Sequence, residues 1–177
     1  ITADWVSLAE PRSVPGLLLL ALLRRRELGL AAFTVLSCDN IPHNGARART
    51  AVMALAERHT PEACSWLADL AFPSSMVDRI VPAVDEAALG RAASALGYRD
   101  DLAVITEQFS QWVVEDCFPL GRPDWEQDGV TMVANVASYE TMKLRLLNGA
   151  HSILAYAGLM LGHSTVDQAV ADPVLQA

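Results

Sequence analysis

A short apolar run between two helical stretches constrains the fold of this chain more than any other feature of its sequence. The run AFTVLS, at residues 32–37, is rich in apolar and β-branched side chains, which is typical of a buried parallel strand. It follows a predicted helix over residues 14–27, which Ser13 caps and Gly29 ends. A second helix is predicted over residues 47–59. Helices that alternate with strands predict an α/β fold.

The alternation continues through the next fifty residues. Pro61 suits the first turn of another helix, which we expect to reach about residue 70. Strand character returns at residues 76–81 and again at 102–106. An alanine-rich segment at residues 85–96 predicts a helix between these two strands. The chain up to this point therefore keeps the pattern of an α/β domain.

A domain boundary is predicted near residues 107–121. A loop that contains Pro, Gly and Asp follows at residues 118–129, and from residue 138 onward the strand signal disappears. We therefore predict an α/β domain over residues 1–110 and a mostly helical domain over residues 111–177.

Charge and cysteine content exclude several classes of function. A net charge of -8 and a pI of about 4.8 disfavour nucleic acids and anionic membranes as partners, because both reward clustered Lys and Arg. The apolar run at residues 14–23 is too short to span a bilayer, and its charges follow it, unlike those of a signal peptide. The three cysteines form no CxxC pair, which favours a reducing cytoplasm over a disulfide framework.

The stretch YETMKLRLLNGAHSILAY, residues 139–156, predicts an active-site helix. In a regular helix Asn148 and His151 are neighbours, and Lys143 lies about 80° around the axis from His151. The many apolar residues predict a helix buried on most of its circumference, starting near a Ser138 cap with Glu140 in its first turn. Burial favours the neutral amine, which can act as a general base. The alternative is a solvent-facing lysine beside an asparagine and a histidine with structural roles.

A second polar cluster, SCDNIPHNG at residues 37–45, follows the predicted strand 32–37 directly. Ligands of α/β proteins bind at the carboxyl ends of strands, and Asn40 there could donate its amide hydrogens to a reacting oxygen. The same residues are ordinary turn formers, so a purely structural loop is the alternative. Zinc bound by Cys38, Asp39 and His43 is disfavoured because a fourth ligand is missing. Asp78 is expected either in an ion pair at a strand end or at a ligand site.

Four segments in order resemble the mannitol dehydrogenase family, the long-chain polyol-specific dehydrogenases and reductases. They are FTVLSCDNIPHNG (33–45), FPSSMVDRIVP (72–82), QWVVEDCFPLGRPDWEQDGV (111–130) and YETMKLRLLNGAHSILAYAG (139–158). The resemblance implies the later part of a Rossmann-type NAD(P)-binding domain, followed by the start of a mostly α-helical C-terminal domain. The chain, which begins at Ile1 and ends at Ala177, is therefore expected to be an internal piece of a longer protein.

The resemblance also implies roles for six residues of this chain. Lys143 is implied as the general acid/base, with Asn40 and Asn148 steadying the reacting oxygen and Asn40 also near the cofactor. The remaining implied roles are substrate contacts by His151 and Asp78 and proton passage through Glu140.

The function implied by the resemblance is hydride transfer between NAD or NADP, with NAD favoured, and a secondary alcohol of a sugar alcohol, without a metal. We expect a polyol or keto-sugar substrate and a monomer. Two alternatives stay open: a fructuronate reductase (mannonate oxidoreductase) of the same family, or a non-catalytic remnant. No Gly-x-Gly-x-x-Gly motif is present, so the 177 residues alone are expected to bind nucleotide poorly and to be inactive.

Overall fold

A computed structural model describes residues 2–176 and divides the chain into two compact units between Ala134 and Asn135. This division lies downstream of the 110/111 boundary expected from the sequence. Residues 111–115 form the central strand of a three-stranded sheet, and the other two strands also lie before residue 135. Residues 111–115 therefore belong to the first unit.

The first unit contains helices and a small mixed sheet. Its helices are α1 (Thr2–Val6), α2 (Val14–Glu27), α3 (Asn44–His59), α4 (Cys64–Ala68) and α5 (Glu86–Leu96), with short 3₁₀ turns at Pro61–Ala63 and Trp125–Asp128. Its strands are β1 (Ser75–Asp78), β2 (Gln111–Glu115) and β3 (Thr131–Val133). The expected α/β fold is confirmed.

Local signals account for the ends of two helices. Ser13 caps α2 by accepting a hydrogen bond from the Gly16 N–H, and Asp85 caps α5 by accepting one from Ala88. Gly97 ends α5 with a φ of 80°, a conformation that glycine adopts without a steric penalty. The helix predicted at 47–59 begins three residues earlier than expected, at Asn44.

The strand predictions were less accurate. Residues 32–37 form no ladder; Val35 donates one backbone hydrogen bond to the Ala71 carbonyl, and none of the three described strands pairs with the segment. The strand predicted at 102–106 is wrong, and the second strand is 111–115 instead. That strand pairs antiparallel with β1 and parallel with β3. Strand formation needs a partner, which the pattern of one segment does not supply.

The core of the first unit lies between α2, α3 and α4. Five large apolar side chains of this core are completely buried: Leu19, Leu22, Val52, Leu55 and Leu67. Burial of each stabilises the folded state by about 1.5 to 3 kcal/mol. No single side chain offsets the conformational entropy lost when the helices pack, but the group together does. Arg49 joins α3 to the end of α4 by donating to the carbonyls of Ala68 and Leu70.

The second unit is helical and includes one irregular turn. Its elements are α6 (Ala137–Met142), a π-helical turn (Lys143–Asn148), α7 (Gly149–Met160), α8 (Val166–Ala171) and α9 (Pro173–Gln176). Helix α7 packs closely on α8, because Gly158 brings its backbone against Ala169, where an added Cβ would lie 2.7 Å from the Ala169 Cβ.

The expected burial of the 139–156 helix is only partly found. Ile153 is 69% exposed, and Tyr156 and Leu159 are also exposed. Within the second unit α8 and α9 pack against one side of α7, which leaves the opposite apolar side open. The prediction that this helix is buried on most of its circumference is therefore wrong for the described residues. No helix among residues 2–176 has both the length and the apolar character that crossing a membrane requires.

Replacing Gly45 should destabilise the first unit strongly. A Cβ at Gly45 would lie 2.4 Å from the Phe72 carbonyl oxygen and 2.5 Å from that of Pro73, both backbone atoms that cannot move away cheaply. We expect Gly45→Ala to lower the free energy of unfolding by about 1 to 3 kcal/mol. Gly90→Ala is the matched control, because nothing lies within 4 Å of its Cβ position in α5.

For Gly90→Ala we expect a gain of about 0.5 to 1 kcal/mol, since alanine favours a helix interior over glycine. Thermal and urea unfolding of the native protein that contains this chain measure both changes. Equal effects of the two substitutions would show that the contact at Gly45 is not a tight one.

Asp172, in the second unit, is expected to make a pH-dependent contribution to the free energy of unfolding. Its carboxylate lies 2.7 Å from His163 Nε2 and accepts a hydrogen bond from the Val174 N–H, and these contacts lower the pKa of Asp172 below its ordinary value of 3.8. The folded state therefore binds the proton less readily than the unfolded state. The stabilisation is complete above the unfolded pKa and is lost as the pH falls through the folded one.

We expect Asp172→Asn to lower the midpoint of thermal unfolding near neutral pH and to differ progressively less from wild type in acid. Asparagine keeps an acceptor for the Val174 N–H but loses the carboxylate oxygen that faces His163, so the substitution removes the charge together with its contact to the imidazole. A difference that stays constant from about pH 7 to about pH 3 would contradict this account.

Candidate active site

The loop that carries Asn40 is attached to β1 at both of its ends. At its start the Ser75 hydroxyl donates to the Ser37 carbonyl at 2.6 Å. At its end the Asn44 amide nitrogen donates to the Asp39 and Ser75 carbonyls at 2.9 and 2.8 Å, while its oxygen accepts from the Ser75 N–H at 2.9 Å. The loop therefore keeps a defined position, and Asn40 is exposed on it.

His43 enters α3 through a left-handed backbone conformation, with φ 55° and ψ 41°. This region is uncommon for residues other than glycine, although histidine is among those found there more often. The conformation directs the chain so that Asn44 is almost completely buried, with 1% of its surface exposed. Asn44 lies in the predicted polar loop, but the sequence predicted no separate role for it, and Ser75 was not among the predicted site residues.

Asp78 is the last residue of β1 and is half-buried. It follows Ser75 by three positions in the same strand, so Asn40 and Asp78 lie on two elements that Asn44 and Ser75 join. These two are the predicted site residues of the first unit.

A cavity of about 570 Å³ lies beside this loop in the first unit. Its wall is mostly apolar, including Leu18, Phe33 and Val35, and its polar groups include Ser37, Asp39 and the charged Arg47. An apolar cavity with a few hydrogen-bonding groups at one side suits a flat, partly polar organic ring.

The other four predicted residues lie in the second unit. Glu140 is in α6 and Lys143 starts the π-helical turn; both are buried, with 9% and 6% exposure. Asn148 ends that turn and His151 lies in the first turn of α7, and both are exposed. Lys143 is the only lysine in the sequence. A lysine amine can both release and accept a proton, whereas the arginine guanidinium stays charged.

The start of the helix differs from its prediction. Ser138 is not the N-cap: α6 begins at Ala137, and the Asn135 side chain accepts the Ala137 N–H at 2.8 Å. Glu140 does lie in the first turn, as expected. The N-cap position is Val136, whose side chain makes no capping hydrogen bond, and Asn135 bonds to α6 from the residue before it.

The π-helical turn changes the geometry that a regular helix predicts. The Gly149 N–H donates to the Leu144 carbonyl, five residues earlier, instead of four. A π-helical turn takes more residues per revolution than a regular one. In a regular helix Asn148 would lie about 140° around the axis from Lys143, and the wider turn makes this angle smaller. The 80° angle expected between Lys143 and His151 also no longer applies.

The arrangement in the second unit places a buried amine and an amide at the two ends of one π-helical turn. Such a pair can exchange a proton at the amine and donate a neutral hydrogen bond to an oxygen that gains negative charge. Among the described residues no group of three or more His, Cys, Asp or Glu side chains is placed to hold a metal ion.

Comparison with known proteins gave two family matches in chain order. Residues 5–127 match the mannitol dehydrogenase Rossmann domain, and residues 135–177 match the mannitol dehydrogenase C-terminal domain. D-mannonate oxidoreductase of Escherichia coli (strain K12) is 48% identical over 174 residues, which cover 98% of this chain and 36% of the relative.

Two solved structures are similar throughout the chain. A D-sorbitol dehydrogenase in substrate-free form has a TM-score of 0.91 at 41% identity. A Pseudomonas fluorescens mannitol 2-dehydrogenase, in ternary complex with NAD and D-mannitol, has a TM-score of 0.85 at 42% identity. Each match covers 99% of this chain and 36% of the solved chain. The chain thus spans about a third of the length of the relatives that it matches.

Proposed function

Because this chain belongs to the mannitol dehydrogenase family, we propose that the native protein containing it is an NAD(P)-dependent oxidoreductase. It transfers a hydride between a nicotinamide cofactor and a secondary alcohol of a sugar alcohol, of the mannitol and fructose type, without a metal. The observation that carries the proposal is the burial of Lys143 at the start of a π-helical turn that ends at Asn148.

Lys143 is the proposed acid and base. In oxidation its amine accepts the proton of the substrate hydroxyl, and in reduction it returns that proton to the oxygen of the carbonyl. Burial keeps bulk water from competing for the same proton position. Glu140, buried one turn earlier in α6, is the proposed route by which the proton passes onward.

Neutral amide groups are the proposed donors to the reacting oxygen. Asn40 and Asn148 can each donate N–H groups that stabilise partial negative charge without adding a net charge. His151, exposed in α7, and Asp78, at the end of β1, are proposed to bind the hydroxyl groups of the substrate. Both side chains suit a polyol, because imidazole and carboxylate groups hydrogen bond to alcohols.

The nicotinamide cofactor, when bound, supplies the carbon that gives or takes the hydride. The cavity beside the loop fits one part of it, since apolar walls near Phe33 and Val35 suit a ring and Ser37 and Asp39 can bond to its amide. The 177 residues contain no Gly-x-Gly-x-x-Gly turn, so we assign to this chain only the nicotinamide end, near Asn40. The P. fluorescens relative, named in complex with NAD, favours NAD over NADP.

Mannonate is the second candidate substrate, in a reaction that interconverts it with fructuronate. The observation in its favour is the 48% identity to D-mannonate oxidoreductase, against 42% to the P. fluorescens mannitol 2-dehydrogenase. A mannonate site needs a cation for the substrate carboxylate, and a bidentate arginine is the natural group. Arg145 is exposed in the π-helical turn, two positions from Lys143. We further propose a cytoplasmic location, since the three cysteines are free, and a monomer as the default state.

Nicotinamide absorbance tests the reaction class directly. The longest native product that contains these residues is offered mannitol, arabinitol, sorbitol and mannonate with NAD⁺ or NADP⁺, in the presence of a strong chelator. We expect reduced cofactor to form with one polyol or with mannonate and turnover to persist after metal removal. A folded protein that is silent on every substrate would favour the non-catalytic alternative, and activity restored only by zinc would contradict the metal-free mechanism.

Removing the Lys143 amine should abolish turnover. We expect Lys143→Met to lower kcat by about 10² to 10⁴, because methionine has a similar shape but exchanges no proton, while cofactor affinity changes little. Small primary amines added to the solution should restore part of the rate of Lys143→Ala, whose short side chain leaves room for them. Steady-state kinetics and cofactor titration provide both values.

Arg145→Met is the matched control, on the same π-helical turn but exposed. Turnover with a polyol should stay within about twofold of wild type, as for most surface substitutions. Near-normal turnover of Lys143→Met would remove this residue from the acid/base role.

A further inference from the structure

The most completely buried polar side chain of the first unit's loop region is Asn44, and all three of its hydrogen bonds are to backbone groups. Two of them reach Ser75, which lies 31 residues further along the chain, and the third reaches Asp39. The amide therefore acts as a bridge between the loop and β1. Both amide hydrogens of Asn44 are used and the residue is 1% exposed, so its role is not direct contact with substrate.

Only an asparagine satisfies all three partners. The oxygen must accept from the Ser75 N–H, while the nitrogen must donate to two carbonyl oxygens. Aspartate has the same shape but no donor, and it would place a carboxylate oxygen against the carbonyls of Asp39 and Ser75. An apolar residue would leave the buried Ser75 N–H without this partner, which is unfavourable in a protein interior.

Asn40 lies between Ser37 and Asn44, the two residues that attach the loop to Ser75. The Asn44 amide also donates to the Asp39 carbonyl within the loop. Asp39 is adjacent to Asn40 in sequence, so a change there is transmitted through a single peptide unit. The Ile41 N–H donates to the same Asp39 carbonyl at 2.8 Å, which closes the loop around Asn40 from its other side.

We propose that Asn44 is a positioning residue, whose carboxamide fixes the loop so that Asn40 presents its amide to the reacting oxygen. This rests on the proposed function, in which Asn40 steadies that oxygen. Catalytic hydrogen bonds require donors at a defined position, and a displacement of about 1 Å can reduce the rate by about a hundredfold. The same carboxamide aligns the loop with β1, the strand that ends at Asp78.

Kinetics of the native protein test this role. We expect Asn44→Asp to lower kcat by about tenfold to a hundredfold with little change in the KM for the cofactor, and to raise the primary deuterium isotope effect as hydride transfer becomes slower. Thr50→Ala is the matched control: it removes one exposed hydrogen bond from the same helix, to the Ala46 carbonyl, and should leave kcat unchanged.

A double-mutant cycle separates positioning from general support of the fold. If Asn44 acts through Asn40, Asn44→Asp should have almost no further effect on kcat in an Asn40→Ala background. Fully additive effects would overturn the proposal, as would a lower unfolding midpoint with unchanged kcat per folded molecule. Ser75→Ala, which removes only the hydroxyl attachment, should lower kcat by about threefold to tenfold. This second variant keeps the proposal testable if the Asn44 variant does not fold.

Amide hydrogen exchange gives a readout that does not require activity. In Asn44→Ala, which removes both the acceptor and the donors, we expect the Ser75 and Ile41 amides to exchange at least about tenfold faster, while the interior of α3 keeps its protection. If wild type shows no turnover with any substrate, the proposed function fails, and faster exchange confined to the loop still establishes what Asn44 holds. Unchanged exchange at both amides overturns the proposal whatever the activity.

Discussion

The carboxamide of Asn44 is the interaction on which the arrangement of the first unit's site depends. It joins a loop, the start of α3 and β1 through three hydrogen bonds that only one side-chain type supplies. The glycine that follows it completes the arrangement, since Gly45 lets α3 approach the carbonyls of Phe72 and Pro73. A buried polar network of this kind is stable only when every group has a partner, so it specifies one loop conformation.

The π-helical turn has the corresponding role in the second unit. A regular helix would direct Lys143 and Asn148 to different sides, and a chemistry that uses both would then need two separate surfaces. Widening the turn makes the angle between the amine and the amide smaller on the same rigid element. π-Helical turns occur frequently at functional sites, and the six-residue turn here starts at the only lysine of the chain.

The two units differ in how they hide apolar surface. The first has a dry core between α2, α3 and α4, whereas α7 in the second exposes large apolar residues on one side, including Met160 at 88%. The sequence of α7 has the apolar content of a buried helix, which is why burial on most of its circumference was expected. Among the described residues of its unit, only α8 and α9 pack on it together with the turn before it. The apolar content of α7 therefore indicated that the helix is suited to burial, but not which elements pack against it.

The sequence by itself determined the features that depend on near neighbours. The ends of α2 and α5 followed from Ser13, Asp85 and Gly97, because caps act within one turn. The four ordered motifs also determined the family, which the two domain matches confirm. Only the tertiary structure decided that 111–115 and not 102–106 is the central strand, and that 32–37 has no strand partner.

Tertiary structure likewise decided the burial of Lys143, the π-helical turn from Lys143 to Asn148, and the hydrogen-bond partners of Asn44. The bonds of Asn44 reach a residue 31 positions away, and a pattern read along the chain contains no record of which distant backbone group a side chain will meet. Caps and motifs are local, because they depend on residues that are close together in sequence. Strand partners, buried amides and a widened helical turn instead result from the packing of segments that are far apart in sequence.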